Sequence, residues 1–338
     1  MQALIEKWIK PLVAVRKQST DNYFDVLDGW RGLSILFILA THLLPLGPKA
    51  WRLNETAGPI GMALFFTLSG FLITHFLIHK PDVRSFIIRR FFRIIPLAWL
   101  YLIVALPFLG IAVDQFLPHF LFYGNYPPMS FEHGTSHFWS LCVEVQFYLL
   151  IALSFAMFKE RAFYLMVALC VGVTLFRINN GVYIAINTYY RIDEILVGLI
   201  LALAYNNRIG QWLPNFLGWV NPYIVMTLFV ISCHPETAAM NYLRPYLAAI
   251  LIGSTLYNPR PAWSQFLNLK VLVYLASVSY ALYVIHPLLV QTWLGSGDLI
   301  EKYAKRPLLF VLLFALAHLS TFYYEKYWIR YAKKLTSR

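Results

Sequence analysis

Ten apolar segments, separated by short polar stretches, dominate the sequence and decide what it can fold into. Their limits are 27–47, 58–79, 94–111, 138–158, 162–176, 191–205, 217–233, 243–257, 271–293 and 307–326. Most of them are long enough to cross a bilayer as a helix. Only 13% of the 338 residues are charged, whereas about a quarter are charged in a soluble domain. The sequence therefore predicts an all-α, polytopic integral membrane protein with about ten transmembrane helices.

The basic residues are distributed unevenly between the two sides of these segments. The chain has 28 Lys and Arg residues, and most of them fall in stretches that share a side with the N-terminus. Cytoplasmic loops of membrane proteins carry such an excess, so we expect both termini to be cytoplasmic. The net charge of +12 then reflects topology and contact with anionic lipids, and we expect no nucleic acid partner.

The connections between the apolar segments are short, and the sequence shows no internal repeat or flexible linker. We therefore predict one membrane domain over residues 25–330, between a basic interfacial arm at 1–24 and a basic cytoplasmic tail at 331–338. The three cysteines are scattered without the spacing of a disulfide framework or a zinc site, so no metal is expected.

The first apolar segment carries two ionisable residues, Arg31 and His42, on one helical face. Eleven residues of helix advance about 16 Å and bring His42 back to within about 20° of Arg31. An ionisable residue at membrane depth is usually functional, because burying it without a partner is costly. A neutral imidazole in a dry pocket can take a proton from a hydroxyl nucleophile, which predicts His42 as a general base. The alternative is a structural histidine that hydrogen-bonds to a neighbouring helix.

A cluster of arginines precedes the third apolar segment. Arg90 and Arg93 lie three residues apart and Arg89 and Arg93 four apart, so two guanidinium groups can share one helical face. Guanidinium groups grip phosphate oxygens in a bidentate manner. We therefore predict that Arg89, Arg90 and Arg93 bind the phosphates of a soluble cytoplasmic donor. The positive-inside rule and lipid headgroups explain the same residues without a ligand.

The fourth apolar segment carries a polar stripe. His137, Ser140, Glu144 and Tyr148 recur at intervals of three or four residues, which places them on one helical face. By residue count Glu144 and His42 both fall near the membrane midplane, so we predict that the carboxylate contacts and orients the imidazole. The alternative is a structural Glu144 that pairs with an arginine or is protonated by burial.

Two further segments hold polar residues at helical spacing. Ser279, Tyr283 and His286 share a face of the ninth segment, where they either bind a polyhydroxyl acceptor or pack against other helices. Arg191 and Asp193 open the sixth segment. We interpret these two residues as a structural ion pair, with a role near the acceptor as the alternative.

In chain order these motifs resemble the acyltransferase 3 family of multi-pass membrane enzymes, which acylate carbohydrate and other hydroxyl acceptors. The resemblance covers nearly all of residues 27–329. One departure is Glu144-Val145, where many relatives have two consecutive acidic residues. The matching motifs are Arg31 with His42, segment 65–74, Arg90 with Arg93, segments 137–148, 191–198 and 279–287, and Glu325.

The resemblance implies an O-acyltransferase that moves an acyl group, with acetyl favoured, to a hydroxyl of a glycan, glycolipid or other acceptor. The donor would be acetyl-CoA or another acyl-CoA, and the enzyme would lie among the lipids of a bacterial cytoplasmic (inner) membrane. Residues 25–330 would form the acyltransferase domain. His42, oriented by Glu144, would act as a base or as a transient acyl carrier. The donor would be bound by Arg31, Arg89, Arg90 and Arg93, and the acceptor by His137, Trp139, Ser140, Tyr148, Tyr283 and His286.

Two other classes of protein share some of these features. A transporter or flippase for a lipid-linked sugar also needs polar stripes and buried His and Glu residues, but Arg90 and Arg93 are better explained by a soluble phosphate donor. A glycosyltransferase that uses lipid-phosphate sugars would be expected to carry acidic pairs for a metal on its large outer loop. Residues 112–137 offer only Asp114 and Glu132, far apart.

Overall fold

The computed structural model describes residues 25–129, 131–132 and 134–337, and every regular element within these ranges is helical. The basic arm predicted at 1–24 lies outside the described residues. Short 3₁₀ turns join several helices, and a π-helical segment, Ser320–Glu325, lies between the last two. The α-helices are α1 Asp25–Leu43, α2 Leu53–His79, α3 Val83–Phe108, α4 Phe116–Phe120, α5 Phe138–Phe158, α6 Arg161–Asn179, α7 Thr188–Arg191, α8 Asp193–Tyr205, α9 Trp212–Trp219, α10 Pro222–Cys233, α11 Arg244–Tyr257, α12 Pro261–Leu267, α13 Lys270–Val290, α14 Leu299–Ala304, α15 Arg306–Leu319 and α16 Lys326–Leu335.

The described chain has seven helices that are long and apolar enough to cross a membrane, or eight if the bent pair α9 and α10 forms one span. Each of the ten predicted segments contains a helix. Helix α15 has only 14 residues but continues through the π-helical segment into α16, whereas α8, α10 and α11 have 13, 12 and 14 residues. At 1.5 Å per residue they extend roughly 18 to 21 Å, short of the hydrocarbon core of about 30 Å. The expected count of about ten full-length spans is therefore not reached.

Helix α8 lies inside the bundle, which explains why a short helix that is apolar beyond its first turn is stable there. Helices α2, α6 and α11 surround it, and its residues are buried from Asp193 to Ala204 except for Ile200. A helix that is apolar on all sides is typical of a position enclosed by protein or lipid. The two acids at its first turn, Asp193 and Glu194, pair with arginines and belong to the ion network described below.

Two glycines allow α2 and α8 to approach closely. A Cβ atom on Gly70 would lie 1.9 Å from the Ile195 carbonyl oxygen, and one on Gly198 would lie 2.0 Å from that of Thr67. Small residues at helix crossings let backbones approach and are a common device in membrane proteins. Both glycines fall in segments that carry the family resemblance, so close helix packing accounts for part of the resemblance there.

Helix α1 is held against α12 and α13 by a second pair of close contacts. Cβ atoms on Gly29 and Gly32 would each lie 2.3 Å from a backbone oxygen, of Leu267 and Leu272 respectively. The buried Trp30 donates a hydrogen bond through Nε1 to Thr255 Oγ1 (3.0 Å). These contacts fix the rotation of α1 about its axis. They therefore set the directions in which Arg31 and His42 point.

Candidate active site

A cavity of about 380 Å³ lies at the end of the bundle where α1 begins and α3 begins. We call it the arginine pocket. Its described lining holds four permanent cations against one carboxylate, that of Glu144. Such an excess of positive charge around a cavity favours an anionic ligand. The residues lining it are Arg31, Phe65, Ser69, Leu72, His75, Phe76, His79, Lys80, Arg90, Arg93, Ile94, Glu144, Tyr148, Ser279 and Tyr280.

The structure brings together three of the four arginines predicted to bind the donor. Arg31 from α1 meets Arg90 and Arg93 from α3 in the arginine pocket. Arg90 lies 5.9 Å from the centre of the Tyr148 ring, and Arg93 lies 3.7 Å from Glu325. Glu325 sits at the end of the π-helical segment, a rare element that is frequent at functional sites.

The fourth arginine, Arg89, does not line the pocket. Its Nε donates to Thr336 Oγ1 (2.9 Å), and its guanidinium lies 5.7 Å from the centre of the Phe76 ring. One residue is a rotation of about 100° along a helix, so Arg89 and Arg90 face different neighbours. In the structure Arg89 thus contacts the C-terminal helix and lies apart from the other three arginines predicted to bind the donor's phosphates.

Glu144 and Tyr148 form the polar wall of the arginine pocket. Glu144 Oε1 accepts hydrogen bonds from Ser69 Oγ (3.0 Å) and from the Tyr148 hydroxyl (2.5 Å). Glu144 is buried and its charge acts on the Arg31 guanidinium. Tyr148, predicted to contact the acceptor, thus belongs to the same pocket as the arginines.

Three imidazoles meet near the opposite end of α1, and we call His42, His137, His286 and Tyr283 the histidine cluster. The His42 ring lies 5.2 Å from that of His286, which lies 5.8 Å from that of His137. The Tyr283 hydroxyl donates to the His137 carbonyl oxygen (2.7 Å) and lies 2.5 Å from Ser140 Oγ. His137 and His286 are buried, whereas His42 is exposed. The structure thus assembles four of the six predicted acceptor residues around His42.

The predicted contact between His42 and Glu144 is not made. Helix α1 ends at Leu43, so His42 lies in its last turn rather than near mid-helix. Glu144 lies seven residues, about 10 Å along the helix, from His137 at the start of α5. Its carboxylate faces Ser69 and Tyr148 instead. The prediction was wrong because it took the apolar run to continue as helix to residue 47, which placed His42 too deep.

The arginine pocket and the histidine cluster meet at one aromatic contact. Phe65 of the pocket stacks on Tyr283 of the cluster with ring centres 6.3 Å apart and planes 10° apart. Arg31 and His42 lie on the same helix, about 16 Å apart along its axis. The two groups of residues therefore adjoin each other along α1.

A network of buried charges, formed by Arg177, Arg191, Asp193, Glu194 and Arg244, surrounds the start of α8. Glu194 is bound by Arg244 Nε (2.8 Å) and Arg191 (3.3 Å), and Asp193 is bound by Arg177. All five side chains are at most 3% exposed. We call this set the buried ion network.

The buried ion network corrects one prediction. Arg191 pairs with Glu194 rather than with Asp193, because three residues of helix bring the two side chains to one face. Trp139, predicted to contact the acceptor, lies beside the network: the Arg191 guanidinium lies over its ring at 5.2 Å, and Phe66 packs against it at 5.8 Å.

Sequence reasoning missed several residues of the arginine pocket. Ser69 lies in the middle of the apolar helix α2. It falls in the matching segment 65–74, but no role was predicted for its hydroxyl. His75 and His79 follow on the same helix four residues apart, with ring centres 4.2 Å apart, and that spacing was a usable signal. Lys80 completes the rim. Among the described residues, no group of three or more His, Cys, Asp or Glu is arranged to hold a metal ion.

Comparison with known proteins gives the same family as the motifs. The chain is 24% identical over 323 residues to a peptidoglycan O-acetyltransferase OatA from Listeria monocytogenes, covering 80% of this chain and 50% of that protein. It is 26% identical over 329 residues to an O-acetyltransferase OatA from Staphylococcus aureus, covering 83% and 53%. The chain thus spans about half the length of these curated relatives, and no solved structure matches it. Residues 24–325 match the acyltransferase domain family, and the chain therefore belongs to the acyltransferase 3 family.

Proposed function

We propose that the protein is a membrane O-acyltransferase that moves an acyl group from cytoplasmic acyl-CoA to a hydroxyl of a carbohydrate-type acceptor. The observation that carries this proposal is the arginine pocket, in which four cations surround a cavity with a single lining carboxylate. The family and its OatA relatives favour acetyl as the group and a glycan such as peptidoglycan as the acceptor.

The chemistry of the pocket suits the phosphates of coenzyme A. Arginine presents planar donors that match phosphate oxygens, and Arg31, Arg90 and Arg93 come from two helices to one space. The positive-inside rule alone accounts for cations at a membrane face, but it gives no reason for them to enclose a cavity together with Ser69 and Tyr148. A soluble ligand does give that reason.

The use of a soluble donor fixes the proposed orientation. Acyl-CoA is made in the cytoplasm, so the arginine pocket would open to that side of the bacterial inner membrane. Lys80 and the arginines at the start of α3 lie at that same end, in agreement with the positive-inside rule. The histidine cluster then lies toward the opposite face, and both termini are cytoplasmic.

His42 would carry the acyl transfer. In direct transfer, its imidazole takes the proton of the acceptor hydroxyl while the oxygen attacks the thioester carbonyl. The carbon–sulfur bond then breaks, and the leaving thiolate takes the proton from the imidazolium, releasing CoA as the thiol. In the two-step variant, His42 itself attacks the thioester, the carbon–sulfur bond breaks and CoA leaves as the thiolate, which takes the imidazole proton. The acceptor hydroxyl then attacks the acyl-imidazole, and its proton passes to the released imidazole. The stacked Phe65 and Tyr283 must separate for the thioester to reach His42 from the arginine pocket.

His286 would have the role that was predicted for Glu144, which is to orient His42. His286 Nδ1 lies 3.1 Å from the Leu282 carbonyl oxygen, which can only accept, so Nδ1 carries the proton and Nε2 keeps a free lone pair. Nε2 is buried and has no hydrogen-bond partner among the described residues. An unmet buried acceptor costs about 1–3 kcal/mol. A hydrogen bond from the His42 imidazolium would remove that cost during the reaction.

The first test measures the release of free CoA from acetyl-CoA by the purified protein in nanodiscs, with and without peptidoglycan fragments. We expect acceptor-dependent release that falls about 10²- to 10⁴-fold in His42→Ala, the usual contribution of a general base. Release that is unchanged in His42→Ala would refute the role of His42. No release from folded protein with any acyl donor would refute the proposal and point to transport.

A second series tests the orienting role of His286. His286→Phe should lower kcat without changing the Kd for acetyl-CoA, since the donor's phosphates bind in the other site. His286→Gln offers an acceptor oxygen and should restore part of kcat, and His234→Gln, outside the histidine cluster, serves as the matched control. Equal losses in the Phe and Gln variants, or a change in Kd in step with kcat, would show that His286 is only a packing residue.

A further inference from the structure

A second cavity, of about 700 Å³, lies between the start of α3 and the end of α16. We infer that it binds the headgroup of an anionic phospholipid. This inference does not depend on the acyl transfer proposed above, because it concerns different residues and is tested by binding. The residues lining the cavity are Asp82, Arg84, Ser85, Ile88, Tyr331, Lys334, Leu335, Thr336 and Ser337.

Two cations from different helices face this cavity. The Arg84 guanidinium and the Lys334 ammonium have no hydrogen bond or ion pair with any other residue that the structure describes. The one carboxylate in the lining, Asp82, is engaged in capping α3, where it accepts from the backbone N–H groups of Arg84 (3.0 Å) and Ser85 (3.2 Å). The lining thus carries two cations against one carboxylate, an excess of positive charge that suits a phosphate.

The surroundings of the cavity are those of a membrane interface. Helix α16 carries the aromatic residues Tyr327, Trp328 and Tyr331 together with four basic residues. This combination is typical of helices that lie at the level of lipid headgroups. The apolar Ile88 and Leu335 line the same cavity, beside its cations, and can contact the upper part of an acyl chain. A phospholipid fits both features, whereas a free phosphate would use only the cations.

The position of the cavity separates it from the arginine pocket. At 100° per residue, the α3 residues that line the cavity, Arg84, Ser85 and Ile88, lie about 160° around the helix from Arg90 and Arg93. One donor molecule would have to pass around the helix to occupy both sites.

The C-terminal helix is the element that a lipid at this position would hold. It packs along α3 through Phe92, which stacks on Trp328 at 5.7 Å, and through Arg89, which bonds to Thr336. A headgroup between Arg84 and Lys334 would bridge the same two helices at their ends. The bound lipid would thus act as a further contact between α3 and α16.

The test compares lipid retention by matched charge variants. The protein is reconstituted in nanodiscs of phosphatidylcholine with one-fifth phosphatidylglycerol, extracted in mild detergent, and the bound phosphatidylglycerol is counted by native mass spectrometry. We expect Arg84→Gln and Lys334→Gln each to lower retention about five-fold, the effect of one cation near an anionic lipid. Lys326→Gln removes the same charge from the same helix outside the cavity and should retain the lipid as the unchanged protein does.

Three outcomes would overturn the inference. Retention that is unchanged in Arg84→Gln, Lys334→Gln and their combination would show that the cavity holds no lipid. An equal loss in Lys326→Gln would show general surface attraction rather than a site. If the double variant binds acetyl-CoA more weakly but dephospho-acetyl-CoA normally, the cavity holds the 3′-phosphate of the donor instead. Size-exclusion profiles that match the unchanged protein establish that these exposed substitutions leave the fold intact.

Discussion

The arginine pocket and the buried ion network use the same residue type in opposite ways. In the network, each guanidinium lies against a carboxylate and is at most 3% exposed. In the pocket, three guanidiniums border open space, and Arg93 remains 29% exposed although it lies near Glu325. Burial without a carboxylate would be prohibitively costly for an arginine. An arginine enclosed by acids therefore stabilises the fold, whereas one left beside a cavity is available to a ligand.

The largest effect should follow from breaking the network. Arg244→Gln leaves Glu194 with Arg191 as its remaining partner, and breaking a buried ion pair costs about 3–5 kcal/mol. We expect a large fall in the thermal unfolding temperature, or no folded protein, measured by size-exclusion fluorescence after heating. The matched control is Arg208→Gln, which breaks an exposed pair with Glu160 and should cost less than about 1 kcal/mol. Equal unfolding temperatures in the two variants would contradict a structural role for the network.

An intermediate effect is expected from the pocket, and on binding rather than on stability. Arg90→Gln and Arg93→Gln should each raise the Kd for acetyl-CoA about 10- to 100-fold, since a hydrogen bond to a charged group contributes roughly 1.5–3 kcal/mol. The unfolding temperature should stay near that of the unchanged protein. Isothermal titration in nanodiscs gives the Kd, with Arg89→Gln as the control on the same helix but outside the pocket.

The comparison fails if the pocket variants lose stability instead of affinity. It also fails if Arg89→Gln weakens the donor as much as Arg90→Gln does. The second result would restore Arg89 to the donor site and would mean that the side chain leaves Thr336 when the donor binds.

The smallest effect should be that of added salt on the Kd for acetyl-CoA. Raising the ionic strength from 0.1 M to 1 M shortens the Debye length from about 10 Å to about 3 Å. The solvent-accessible pocket should then bind acetyl-CoA several-fold more weakly, whereas the unfolding temperature set by the buried network should hardly move. A Kd that is independent of salt would indicate that apolar contacts, rather than the cations, hold the donor.

The sequence was sufficient to locate most of the helices. It was also sufficient to predict that Arg31, Arg90 and Arg93 act together in one donor site. Apolar runs indicate burial, and a spacing of three residues indicates a common helical face. Both patterns can be recognised from neighbouring residues in the sequence. Hydropathy does not distinguish lipid from protein as the apolar surroundings, and for this reason α8 was predicted as an ordinary span although other helices enclose it.

Other features of the molecule depend on distant partners. Asp193 pairs with Arg177, 16 residues away, and Glu194 with Arg244, 50 residues away, and no local spacing reveals these contacts. Whether Glu144 meets His42 depends on where α1 ends and on the rotation of α1, which contacts such as those of Gly29 and Gly32 set. The pair of Arg191 and Glu194, three residues apart, can be recognised locally, whereas these longer contacts cannot.

The short α8 has a consequence for how the protein is made. A helix of 13 residues that begins with two acids is a poor substrate for insertion by itself, because each charge at membrane depth costs about 2.5–3.5 kcal/mol. Arg177, on the earlier helix α6, can already neutralise Asp193. The second partner of Glu194 is Arg244, which leaves the ribosome 50 residues later. Biogenesis of the enclosed core therefore remains unfinished until α11 has been translated, and a nascent chain stopped before that point would hold an incompletely compensated acid in the membrane.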